Sequence, residues 1–122
     1  MKFVYKFETT KLIINLIAAG NYGALFELSH NEEKAQEVVF QLEQLNDLGF
    51  VRGVSFCSYN RYLEAKLSCP RLTIKGFELL EVINNDLIYK EIRKAINRVG
   101  RVESLKLVTD GFMLFLGGVN ET

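Results

Sequence analysis

The chain has 122 residues, with 15 basic against 15 acidic side chains, 48% hydrophobic residues, one Pro and two Cys. That is enough for one compact domain with a single core, and too apolar for a disordered chain. Zero net charge speaks against non-specific nucleic-acid binding as a way of life, and two cysteines without a C-x-x-C pair speak against a disulfide scaffold or a zinc site.

Phe3, Tyr5 and Phe7 alternate with Lys2, Val4 and Lys6, which suggests a short strand or extended arm. Glu8, Lys11 and Asn15 break up the apolar run of the first twenty residues, so it does not read as a secretory signal. Thr9 or Thr10 is placed to cap a helix to about Ala19, with Leu12, Ile13, Leu16 and Ile17 inward and Gly20 at its end. Residues 24–28 fit either a short helix or a strand. Ser29 with Glu32 has capping-box spacing, and Asn31 is a competing cap. A long helix over about 32–48 follows, its inward face made of Ala35, Val38, Val39, Leu42, Leu45 and Leu48, with Gly49 as terminator.

Residues 50–69 are rich in β-branched and aromatic types around a turn signal at Ser58, Tyr59 and Asn60. They predict a hairpin with strands near 50–57 and 62–69, closed by Pro70. Val54, Phe56, Leu63, Ala65 and Leu67 face inward in this reading. Cys57 falls opposite residue 63 rather than Cys69, which predicts two unbridged thiols. A helix from Ile74 to about Asn84 buries Phe77, Leu80 and Ile83. Asp86 caps the next, whose apolar face is Ile88, Ile92, Ala95, Ile96 and Val99, with Gly100 at its end. A last helix is expected over about 102–116. The apolar stretch from Gly111 to Val119 is far shorter than the ~20 residues that span a bilayer, so no membrane role is expected.

Helix, short element, long helix, hairpin, helix is the order of a winged helix, in which the hairpin is the wing and the long helix is the one a DNA-binding member inserts into the major groove. The expected fold class is therefore α+β, mostly α: a winged helix-turn-helix with a two- or three-stranded wing sheet and a helical C-terminal extension. Residues 1–122 form a single domain in this reading, with a core over about 9–84 and the extension over 86–118. The stretch "RLTIKGFELLEVINND" after the wing carries an LT-x-x-G signature in Leu72, Thr73, Gly76, Leu79 and Leu80. Over about residues 34–108 the chain resembles the YjcQ-like winged-helix proteins of Gram-positive bacteria and their phages. The resemblance implies the fold and a phage or prophage setting in a bacterial cytoplasm. It brings no activity with it. In the signature, Thr73 serves as N-cap and Gly76 lets the helix start press against a neighbouring backbone, that of the first or the long helix.

No catalytic, metal or cofactor residues are indicated. His30 is the only histidine and sits in a polar stretch, and no Ser/His/Asp set, P-loop or H-E-x-x-H occurs. Over residues 31–49 the acids Glu32, Glu33, Glu37, Glu43 and Asp47 face one base, Lys34, a net of −4 that phosphates would repel. On the same helix Phe40 lies opposite Leu42 and Val38, amid Glu33, Glu37 and Gln44, the pattern of a protein-contact anchor. Covering by the N-terminal arm or the last helix is the alternative. Basic charge lies elsewhere. The hairpin holds Arg52, Arg61, Lys66 and Arg71 against Glu64, a net of +3, with Tyr59, Asn60 and Arg61 at its tip. The helix after Asp86 sets Lys90, Arg93, Lys94 and Arg98 opposite its apolar stripe. These residues suit an acidic protein or a phosphate backbone. The expected function is a non-enzymatic interaction module that binds a protein partner or a second copy of itself, either as a regulator's partner or as an inhibitor of a host system. A DNA-binding regulator using the wing and the basic helix is the alternative.

Overall fold

A computed structural model describes residues 7–31, 34–59 and 62–99, with the side chains of 58–59, 62–63 and 95–99 left aside. The expected arm at residues 1–6, Glu32 and Glu33, the tip residues Asn60 and Arg61, and the helix over 102–116 lie outside the described residues. These residues form five helices and one two-stranded antiparallel sheet, an α+β arrangement that is mostly helical. In order they are α1 (Phe7–Ala18), α2 (Tyr22–Ser29), α3 (Ala35–Asp47), β1 (Val51–Tyr59), β2 (Tyr62–Leu72), α4 (Ile74–Ile83) and α5 (Asp86–Val99). Among the described residues no helix is long and apolar enough to cross a membrane. The chain divides into two compact units, residues 8–80, and residues 1–7 with 81–122.

In the unit of residues 8–80, α1 begins before the threonines expected to cap it. Thr9 and Thr10 instead point sideways: the Thr9 hydroxyl donates to Glu37 Oε1 at 3.0 Å and the Thr10 hydroxyl to Gln41 Oε1 at 2.8 Å. Thr10 and Gln41 are both buried. The inward stripe of α1 is therefore Thr10, Ile13, Ile14 and Ile17, while Leu12 is exposed. Counting apolar residues alone rotates the stripe, because one of its members is a threonine. The inward face of α3 is Val38, Val39, Gln41, Leu42 and Leu45; Ala35 and Leu48 are only half-buried.

Residues 24–28 are helical. Asn21 caps α2, its Oδ1 accepting from the Ala24 N–H at 3.3 Å. Ser29, expected to open a capping box with Glu32, instead ends α2, and its hydroxyl donates to the Phe26 carbonyl at 2.8 Å. The entry to α3 belongs to Asn31, whose carbonyl accepts from the Ala35 N–H at 2.7 Å. At the far end of α3 the Gly49 N–H donates to Asn46 O (3.1 Å) and the Phe50 N–H to Leu45 O (2.9 Å). This is a Schellman motif, and its left-handed residue, Gly49 at φ +81°, has no Cβ to object. The same pair of bonds at Gly20 and Asn21 closes α1.

The hairpin register runs from Val51↔Leu72 to Tyr59↔Tyr62, with a bulge between Arg52↔Arg71 and Val54↔Leu67. β2 spends its surplus residues there. Pro70 consequently lies within the strand rather than ending it, at a point where no cross-strand partner asks for its missing N–H. Gly53 sits at φ +80°, and a Cβ on it would collide with the Cys69 carbonyl oxygen and lie 2.7 Å from that of Ser68. The bulge also lets both Val51 and Val54 turn inward although they are three apart. Cys57 pairs with Glu64, one residue beyond the expected position, and no disulfide joins it to Cys69.

The turn into α4 shows what Thr73 and Gly76 do. Thr73 Oγ1 accepts from the Gly76 N–H at 3.1 Å and donates to the Gly49 carbonyl at 2.5 Å, while the Thr73 N–H bonds Phe50 O at 3.0 Å. The neighbour against which Gly76 presses is the Phe50 backbone, just past the long helix: an added Cβ would overlap the Phe50 carbonyl oxygen. Thr73→Ala is expected to cost about 1–2 kcal/mol in chemical melts, since it removes a cap and a second bond to α3. The buried face of this helix includes Gly76 and Leu79. Phe77, expected inside, is 54% exposed, and Ile74 is 83% exposed. Docking Gly76 onto Phe50 fixes the helix rotation, and that places Phe77 outward.

In the other unit, Val82 and Ile83 are buried. Asn85, not Asp86, caps α5, its Oδ1 accepting from the Ile88 N–H at 3.2 Å. Asp86 takes the first helical turn, where its charge suits the dipole. Phe7 is buried and stacks on Tyr89, with ring centroids 5.3 Å apart. Ile88 and Ile92 of the expected apolar face are half-buried, and Lys90, Arg93 and Lys94 on the opposite side are exposed. Lys94 lies 3.7 Å from Glu91, an exposed pair of the kind that contributes little to stability.

Candidate functional site

The α3 set does not form an open face. Glu37 accepts the Thr9 hydroxyl, Phe40 and Gln44 are half-buried, and Glu33 lies outside the described residues. Of the thirteen residues of α3, Asp47 alone is exposed. A helical wheel shows which residues are opposite the core stripe, but it cannot show that another element reaches that side, as α1 does where Thr9 meets Glu37.

Two exposed cations of the unit of residues 8–80, Arg52 and Arg71, stand at the root of the hairpin. Arg52 and Arg71 are direct cross-strand partners, both exposed. Residues so paired have Cβ atoms about 4.5–5.5 Å apart, and like charges there are destabilising. Neither guanidinium group has a hydrogen bond or ion pair among the described residues. Farther along the same outer face lies Lys66, opposite Ser55. The bulge beside the arginines holds Cys69 at φ +54°, a left-handed backbone that residues other than glycine rarely adopt. Bulges and such strained residues concentrate where a strand must aim a side chain.

Beside the arginine pair opens a cleft of about 430 Å3. Ile74 gives it an exposed apolar wall, Val51 and Leu72 lie nearly buried behind it, Asn46 and Thr73 add polar groups, and no Asp or Glu lines it among the described residues. Lys75 also reaches it, but its ammonium is already used: it bonds the Leu48 carbonyl at 3.1 Å, at the negative end of α3, and lies 4.7 Å from the Phe50 ring centroid. Lys75 therefore holds the wall in place, and Arg52 and Arg71 carry the available charge. If so, Arg71→Glu should stabilise the isolated protein by about 0.2–1 kcal/mol, by turning a repulsive cross-strand pair into an attractive one. A lowered urea midpoint would show that the arginine pair carries no such cost.

Of the other residues singled out from sequence, Tyr59 ends β1 and Arg98 lies in α5. His30 is exposed at the end of α2, stacked on Phe26 at 4.1 Å, with Nδ1 2.9 Å from the Phe26 carbonyl oxygen. Among the described residues no group of three His, Cys, Asp or Glu is close enough to hold a metal ion. Arg52 was legible in the sequence as one charge of a basic hairpin. Its pairing with Arg71 was not, because that depends on the register across the bulge. Comparison with protein-family models, with curated proteins and with solved structures finds no match to this chain.

Proposed function

We propose that the chain is a non-enzymatic winged-helix interaction module that works through protein–protein contacts, in keeping with the phage or prophage setting its LT-x-x-G stretch suggests. The observation that carries this reading is the cover over α3. In a DNA-binding winged helix the element before the hairpin must offer a face to the groove. Here that element keeps only Asp47 exposed, an acid that phosphates would repel. Duplex DNA of random sequence should accordingly bind no tighter than about 10⁻⁶ M at physiological salt, the range of non-specific contacts. Fluorescence anisotropy with a labelled duplex measures this, and nuclease treatment of captured host complexes should leave the protein partner in place. Nanomolar, salt-dependent DNA binding would overturn the reading.

One observation favours a second reading. Arg52, Lys66 and Arg71 on the hairpin, and Lys90, Arg93 and Lys94 on α5, are all exposed. A regulator that met phosphates with the hairpin and α5 instead of α3 would lose affinity when Arg52 or Lys90 is neutralised, with a smaller salt slope.

A further inference from the structure

We propose that the cleft beside Arg52 and Arg71 is the docking site for an acidic segment of a protein partner, with a carboxylate near the two guanidinium groups and an adjacent apolar side chain over Ile74. This deepens the protein-contact reading and rests on it.

Four observations point the same way. The first is the cross-strand arginine pair, two like charges held side by side without a counter-charge among the described residues. An arriving carboxylate relieves that repulsion, and Arg favours planar, charge-assisted contacts with carboxylates. The second is the cleft itself, whose about 430 Å3 falls within the range of small binding pockets and whose lining holds no acid among the described residues. The third is Ile74, 83% exposed on its wall, an aliphatic side chain left in water at the edge of a charged patch. Apolar centre with charged rim is the make-up of a protein contact. The fourth is the bulge, which spaces the arginines from the rest of the strand and includes the strained Cys69.

The exposed Ile74 is what separates a peptide from a nucleic acid. A phosphate backbone offers charge at every step and nothing apolar to cover that side chain. Asp47, exposed next to the cleft residue Asn46, further disfavours a continuous polyanion while leaving room for a single carboxylate.

The test is a nitrogen–proton NMR titration of the full chain with three synthetic hexapeptides: alternating Glu and Leu, the same with Gln for Glu, and the same with Ser for Leu. The Glu/Leu peptide is expected to move the amides of Arg52, Arg71, Thr73 and Ile74 in a saturable manner at millimolar concentration. Both control peptides should bind roughly tenfold more weakly, as should the Glu/Leu peptide to the double variant Arg52→Gln/Arg71→Gln, whose spectrum stays dispersed. No saturable shift at these amides, or equal binding by the Gln control, overturns the docking site and leaves the broader protein-contact reading standing. A twelve-base-pair duplex that moves the same amides at lower concentration than the peptide overturns both.

Discussion

Gly76→Leu is expected to be the most damaging single change in the described structure, at about 3 kcal/mol or more, the upper end of overpacking costs. The Cβ alone overlaps the Phe50 carbonyl oxygen, and Leu72 Cβ stands 3.1 Å away on another side. The oxygen cannot retreat freely, because it accepts the Thr73 N–H at 3.0 Å. Yielding there also pulls on the contacts that Thr73 and Lys75 make with the end of α3. Gly76→Ala is the sharper diagnostic. In an open helix it would gain up to ~1 kcal/mol from propensity. Here it should lower the urea midpoint, and an alanine variant more stable than the parent would refute the close approach.

Gln41→Leu is expected to cost about 2–3 kcal/mol, from a lost buried hydrogen bond and a Thr10 hydroxyl turned toward an apolar side chain. The partner change Thr10→Val should cost about 1–2 kcal/mol. Combined as Thr10→Val/Gln41→Leu, the two should cost less than their sum by about 1 kcal/mol or more, since neither polar group then faces an apolar surface alone. Denaturant melts of the four proteins close the cycle. Strict additivity would mean that the 2.8 Å contact between these side chains does not couple α1 to α3.

The element order was legible in the sequence because it depends on local chemistry. Glycines at positions 20 and 49 stop helices through their own φ angles, apolar residues alternating with polar ones make the hairpin, and Thr73 caps by reaching three residues along its own chain. Each of these interactions spans a few residues, so a pattern in the sequence is enough to reveal it. The neighbour of Gly76, the register of the hairpin and the rotation of the helices were not legible. Thr10 and Gln41 are polar, so a search for apolar spacing leaves them out, yet in the core they meet each other across 31 residues. Phe77 fits an inward stripe by spacing but is turned outward once Gly76 meets Phe50.

The candidate site divides along the same line. From the sequence alone the hairpin was basic and the long helix acidic, since charge is a property of composition. That the long helix is largely half-buried or buried, and that Arg52 stands across from Arg71 beside a cleft with no acid among its described lining residues, was decided by tertiary structure. A bulge of surplus residues at Ser68, Cys69 and Pro70 sets that pairing, and a one-residue change in register would send one arginine to the opposite face of the sheet. Side-chain type fixes how much charge a segment carries. Where that charge converges is fixed by backbone pairings between residues far apart in the chain, and those exist only in the folded protein.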